Sequence, residues 1–482
     1  MFETTRPFLF FDYFRVPYRI GRAALSDDPF ASWARMEPVD AESARRLLYW
    51  PDFDCEGEFG ALAPGSYRLG SIAIFGRIVP DAVTESLLAG TAGAWRATDA
   101  VVDDTGAVVA WIWRDAAGGA LLPFDPGEAI HAYWSEAYRD LRVGSLRTQL
   151  KRQALRSYYR VRPLLPRPAQ IWLRRRFSRV QARTSFPRWP VELGLHDLYA
   201  LIFRLVAEVA GEPVPHIAPW PAGYDWTLVL THDVETEIGY RNIHLLRDLE
   251  LAEGYRSSWN LVPRRYDVED AVVDELKCSG FEVGVHGLYH DGRDLESAAT
   301  LRERLPAIRE YAERWGATGF RSPATHRDWE LMPLLGFDYD SSYPDSDPFE
   351  PQAGGCCSFL PFFNRDLVEL PITLPQDHTL FVILRRRDEA AWVEKALAVR
   401  EQGGMALVIV HPDYLLGEPL REIYARFLRR FRDEPRLWRA LPSEVSDWWR
   451  RRAASTLELT PDGWRVVGPA ADEGVVAFSD GT

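Results

Sequence analysis

The sequence is poor in cysteine. Its four thiols, Cys55, Cys278, Cys356 and Cys357, are too few and too scattered for a disulfide framework, and the adjacent pair lacks the two-residue spacer of a zinc ribbon or thioredoxin-type site. Reduced thiols are the expectation. Apolar runs are short as well: none reaches the roughly 18 residues that a membrane-spanning helix needs. The opening segment MFETTRPFLFFDYFRVPYR has an apolar patch, but Asp12 interrupts it and no basic leader precedes it, so it makes a poor signal peptide. A cytoplasmic location follows as the expectation. Low-complexity tracts and internal repeats are also missing. What is present is ample core material: 46% of the 482 residues are hydrophobic and 13% aromatic. That suffices for two or three packed domains at about 150 residues each.

One scarcity is local. From Leu141 to Pro190 there is no Asp or Glu, while arginines recur throughout, in a chain whose net charge is −13. The acidic balance argues against a general nucleic-acid binder. The basic stretch has three readings. Its arginines can pair with acidic surfaces of the flanking segments. They can dock on anionic lipid at the inner membrane face, since QIWLRRRFSRV (170–180) sets Trp172 and Phe177 among arginines. They can also form a platform for an acidic glycan.

Four segments emerge along the chain. Residues 1–140 read as mixed α/β, with strands in GSIAIFGRIV (70–79) and AVVAWIWRD (107–115) and helices in AESARRLLYW (41–50) and 124–141. Residues 141–225 hold the basic stretch, with short helices near 145–160 and 168–183, a stronger helix at 192–211 and a Pro-rich linker at 212–226. From 226 to 430, short apolar strands alternate with helices. The strands are placed at 227–233, 257–263, 281–286, 317–323, 336–342, 379–384 and 405–411, the helices at 242–254, 268–280, 298–316 and 389–404. That alternation predicts parallel strands with right-handed crossovers, closed or nearly closed into a barrel. Residues 431–482 carry a helix at 442–455, a hairpin at 456–468 and a strand at 475–480.

The ionisable residues of the third segment cluster at strand ends. The first strand runs into His232-Asp233-Val234-Glu235, the third into His286 with His290 four residues on, the fourth into Arg321, a later one into Asp340, and the last into His411. In an α/β barrel the loops after strand C-termini meet on one face, where active sites form. Two imidazoles at that spacing on a helical turn would share a side, as a common metal ion requires, and a carboxylate would complete a catalytic set. Zn²⁺ suits two imidazoles and one carboxylate; Co²⁺, Ni²⁺, Mn²⁺ or Fe²⁺ would bind the same donors. Asp233 and Glu235, two apart in extended backbone, project to one side, so that one can bind metal while the other takes a proton from water.

These motifs resemble the polysaccharide deacetylase family, the NodB-homology group of carbohydrate esterases. The resemblance rests on T-H-D-V-E, H-G-L-Y-H-D, Arg321-Ser322-Pro323, the Y-D-S-S acid and L-V-I-V-H-P, in family order over about 185 residues. It implies an irregular (β/α)7 barrel that hydrolyses an N-acetyl or other acyl group on an amino-sugar glycan. By the same resemblance Asp233 is the general base, and Glu235, His286 and His290 are the metal ligands. Arg321 orients Asp233, and His411 is the general acid. Asp340 holds its imidazole, with Asp345 as the fallback. Commoner members carry two consecutive aspartates where this chain has Asp233-Val234, so the metal acid moves to Glu235. His326, Trp329 and Tyr343 are candidate substrate contacts. Hydrolysis of another linear or cyclic amide, or glycan binding without cleavage, would use the same barrel.

Overall fold

The computed structural model describes residues 1–22, 28–39, 46–54, 59, 61–91, 94–141 and 186–481. The basic stretch and its two expected short helices fall largely outside them. The chain forms two compact units: one from the described parts of 1–154, 193–218 and 451–482, the other from those of 155–192 and 219–450.

Among the described residues the first unit is built on a nine-stranded mixed sheet. The expected strands appear at Ile72–Gly76 and Val108–Arg114. The expected helix at 41–50 is corrected in its described part: Leu48–Pro51 is a strand, paired with Trp33–Pro38 and Ala120–Leu121. Leu48, Tyr49 and Trp50 are all buried there, a use to which aromatic and branched side chains in a pleated sheet are suited. Gly194–Ala210 forms the predicted strong helix, burying Leu198, Ile202, Leu205 and Val209 on its apolar stripe and ending at Gly211, whose φ of 77° suits glycine. Part of the supposed linker is structured: Val214–Ile217 pairs antiparallel with Val476–Ser479, and Thr456–Thr460 forms the expected hairpin with Gly463–Val467.

The second unit is a parallel α/β sheet. Its strands run Leu367–Glu369, Tyr339–Asp340, Gly319–Phe320, Glu282–Val285, Ser258–Leu261, Trp226–Val234 and Met405–Val410 in spatial order, with Phe362–Asn364 antiparallel on the outer edge. Leu437–Ala440 pairs in parallel with Trp226–Val229, alongside the Ser258–Leu261 pairing of Thr231–Val234. Every residue from Trp226 to Val234 is buried, as expected of a parallel strand covered on both faces. The helices fall where the apolar spacing put them, at Ile243–Glu253, Asp270–Cys278, Ala298–Trp315 and Ala390–Glu401. Among the described residues no ladder joins the two ends of the sheet, but two backbone bonds reach the Met405–Val410 strand from the far side: Leu374 N–H to Leu407 O at 2.9 Å and Met405 N–H to Phe359 O at 2.7 Å.

One expected strand, at 379–384, is a helical turn instead. His378–Ile383 is wound widely enough for Leu384 N–H to reach Thr379 O at 2.9 Å, and Asp377 accepts from His378 N–H at 2.7 Å at its start. The position beside Met405–Val410 is already lined by the chain after Glu369, so the apolar run TLFVIL packs as helix.

Candidate active site

Alternation along the first parallel strand sends His232 and Asp233 to opposite faces. His232 faces the helices: its ring stacks on Trp259 at 4.1 Å, with Nδ1 2.8 Å from Val410 O and Nε2 2.6 Å from Glu250 Oε1. Asp233 faces the site. Asn260 donates to its Oδ1 at 2.9 Å, and Arg321 Nη1 lies 3.4 and 3.3 Å from its two oxygens. Arg321 Nη2 donates to Thr231 and Ser341 hydroxyls at 3.2 and 3.0 Å, which locks the guanidinium plane. Burial pushes the Asp233 carboxyl up, but Arg321 first, then His286 and His411 and the Asn260 bond, more than reverse it, leaving it at about 2.

The two histidines of the motif are not on a helical turn. His286 ends the strand and the chain then bends through Gly287 at φ 61° and His290 at φ 56°. A side chain at Gly287 would meet Asp294 Oδ2 at 2.5 Å and the Pro323 ring at 2.6 Å, so the tight loop requires glycine. The bend still brings the imidazoles together, with centroids 4.9 Å apart. His286 Nδ1 lies 3.0 Å from Arg321 O, which sets its proton there and leaves the Nε2 lone pair toward Asp233 Oδ2, 3.9 Å away. Burial holds this ring down at about 4, so it is a neutral donor. His290 Nε2 is 3.3 Å from Glu235 Oε1. Glu235 is gripped elsewhere too: Tyr414 donates to its Oε2 at 2.9 Å, and its backbone N–H donates to Asp413 at 3.0 Å. Burial pushes Glu235 up, and the His290 bond followed by the charges of His290, His411 and His286 carries it well below the usual carboxylate range.

His411 ends the Met405–Val410 strand with Nε2 3.9 Å from Glu235 Oε1. Its partner is not the expected one. Asp377 accepts from His411 Nδ1 at 2.6 Å and from its backbone N–H at 2.9 Å. Burial alone would lower this imidazole; Asp377, then Glu235 and Asp233, raise it to about 10. Asp340, assigned that role from the sequence, stands at its predicted strand end but bonds Ser342, accepting from its N–H at 2.8 Å and its hydroxyl at 3.0 Å. Burial pushes the Asp340 carboxyl up, to about 7, and that of its cross-strand neighbour Glu369 well up as well. The fallback Asp345 is taken by Lys395 at 2.7 Å in a buried ion pair.

The substrate candidates divide. His326 is half-buried against the Gly292 loop that follows His290. Trp329 is half-buried, its ring 6.2 Å from Phe362 and 6.4 Å from Tyr343. Tyr343 is 2% exposed, with the Arg327 guanidinium over its ring at 5.5 Å; it is packing rather than a face for a sugar. Sequence reasoning missed Asp377, Asn260 and Tyr414. Only Tyr414 had a visible signal, three residues beyond His411. Asp377 was hidden by reading the apolar run after it as a strand.

Glu235, His286 and His290 offer the two imidazoles and one carboxylate that a catalytic divalent metal takes. The donors fit in kind, and the Arg321 carbonyl sets the His286 tautomer a metal needs. Among the described residues, no three His, Cys, Asp or Glu side chains close on one point.

No family model matches the sequence, and neither does any curated protein. About half of the chain is similar to solved structures. A Mycobacterium smegmatis protein assigned as a polysaccharide deacetylase matches with 19% identity over 50% of this chain and 96% of its own, at a TM-score of 0.40. One from Pseudomonas aeruginosa PAO1, assigned likewise, matches with 16% identity over 47% and 92%, also at 0.40. PuuE allantoinase matches with 16% identity over 55% and 98%, at 0.41, so polysaccharide deacetylases and an allantoinase are what this chain is similar to.

Proposed function

We propose that the second unit is a metal-dependent hydrolase that removes an acyl group, most simply acetyl, from the nitrogen of an amino sugar, on a NodB-type barrel. One observation carries the reading. Two opposite proton-transfer groups, each clamped by a dedicated buried partner, face the same carboxylate–imidazole cluster: Arg321 on Asp233 and Asp377 on His411. A proton acceptor kept ionised and a donor kept protonated are what amide hydrolysis needs at its two stages.

Asp233 takes the proton of the attacking water while Arg321 and Asn260 hold its oxygens in place. His411 delivers a proton to the departing nitrogen, and Asp377 fixes Nδ1 so that Nε2 faces the site. Glu235, His286 and His290 would hold the divalent cation, Zn²⁺ or a similar ion; such an ion supplies an acidified water and a polarised carbonyl, which a carboxylate at about 2 needs if it is to act as base. Tyr414 keeps Glu235 aimed inward.

The test is acetate release from N-acetylated oligosaccharides by protein supplied with defined metals, together with metal analysis. Full metal content in His286→Ala would remove the ligand assignment, and the absence of acetate release with every metal would remove the reaction.

A further inference from the structure

The loop after the Ser258–Leu261 strand carries Pro263-Arg264-Arg265-Tyr266, and it is fastened to the site at two points. Tyr266 is buried; its hydroxyl accepts from Val262 N–H at 3.0 Å and donates to Val234 O at 2.7 Å, between Asp233 and Glu235. Arg264 N–H donates to Leu288 O at 3.1 Å, inside the His286–His290 loop. The two arginines are thus mounted on backbone that is tied to both halves of the site, yet both side chains are exposed.

Their partners are an imidazole, a phenol and a backbone carbonyl. Arg265 Nη1 reaches His290 Nδ1 at 3.1 Å and His290 O at 3.3 Å, and Arg264 Nη1 reaches the Tyr289 hydroxyl at 3.1 Å. Tyr289, 39% exposed, lies between the guanidinium groups of Arg264 at 5.9 Å and Arg304 at 5.1 Å. Asp291 and Asp294, just after His290, are committed elsewhere: Arg304 binds them at 2.7 and 2.8 Å. The exposed Arg293 and Arg314 of the same unit, by contrast, pair with Glu296 and Asp270. Among the described residues Arg264 and Arg265 have no carboxylate partner: Arg264 bonds the neutral Tyr289 and Tyr311 side chains and Arg265 bonds His290, so both keep an uncompensated charge and N–H donors to spare. Two adjacent forks with spare donors at a site's rim match a carboxylate or phosphate.

We propose that Arg264 and Arg265 bind an anionic group on the substrate, so that the preferred substrate is an N-acylated amino sugar bearing a carboxylate or phosphate close to the acyl nitrogen. This rests on the hydrolase reading and specifies its substrate class. The arginines act on binding, with no part in proton transfer.

The test compares three trisaccharides with the metal-supplied full chain: tri-N-acetylchitotriose, the same sugar with a 6-phosphate, and its counterpart with a lactyl carboxylate. At least one anionic form is expected to show kcat/KM tenfold or more above the neutral form at low ionic strength, with the advantage shrinking in high salt. Which one gains tells phosphate from carboxylate. In the Arg264→Gln/Arg265→Gln variant the anionic-to-neutral ratio is expected to fall to within about twofold of one. Arg264→Gln alone, which leaves the His290 contact intact, should lose part of the ratio, mainly through KM. Equal turnover of neutral and anionic forms overturns the proposal and leaves the hydrolase reading standing, as does a preference that survives in the double variant. No turnover of any of the three overturns both.

Discussion

The first unit's buried histidines contrast with one histidine of the second, His411, while His286 of the second unit behaves as they do. In the first unit His196 and His216 are buried and stay neutral, both held down at about 4, His196 by burial alone and His216 by burial outweighing a bond to the Val214 carbonyl. In the second unit His411 is equally buried, yet Asp377 raises it to about 10. Burial by itself makes an imidazole inert; burial with a dedicated carboxylate makes it a poised acid. A buried histidine therefore says little until its second nitrogen is traced.

Breaking the base should have the largest effect. Asp233→Asn is expected to lower kcat by about 10³-fold or more, read from acetate release; a loss under tenfold would remove Asp233 from the chemistry. Next comes the change that makes His411 resemble His196. Asp377→Asn should cost about 10²-fold in kcat, and imidazole NMR resonances should show His411 titrating far lower than in the parent. An unmoved titration would mean that Asp377 does not set the ring. Asp340→Asn sharpens the same contrast from the other side: it should leave the His411 titration in place and change kcat by less than about threefold, because Asn keeps the Ser342 contacts.

The first unit predicts a stability effect instead. His196 and His216 have folded-state values below the unfolded 6.5, so the unfolded chain binds more protons as pH falls. Stability from these two groups is full above about 6.5 and is lost as pH falls toward 4, by about 2 kcal/mol per histidine at pH 5. Denaturant midpoints at pH 7 and pH 5 measure it, and a His216→Gln variant should flatten the difference.

Much of the site was legible because chemistry sits at strand ends. Asp233 is the last residue but one of its strand, and His286, Arg321 and His411 directly follow theirs, so placing the strands places these residues. Strand ends give position along the chain but not which side chains meet across the rim. That is why the sequence offers Asp340 as the partner of His411, a place that Asp377 takes: Asp340 lies at a strand end but is turned to Ser342. Asp377 was illegible for another reason. Thr379–Leu384 is as apolar and branched as a strand, and only the filled place beside Met405–Val410 makes it helix. The His286–His290 spacing predicted two neighbouring imidazoles, but a glycine-turned loop, not a helical turn, brings the rings together. Glu235 was found from its spacing to Asp233, while the Tyr414 and Asp413 contacts that hold it come from sequence nearly 180 residues away.

The contacts of His232 bear on Asp233 next to it. Slipping the Trp226–Val234 strand by one residue would carry the His232 imidazole into the site and drop the Asp233 carboxylate between Trp259 and Glu250. Both placements strand a charged or hydrogen-bonding group, so the slipped pairing is doubly penalised. The wall behind the strand thus acts as a ratchet on register, and a change such as Trp259→Ala, remote from any substrate, would be felt first as misalignment of the base.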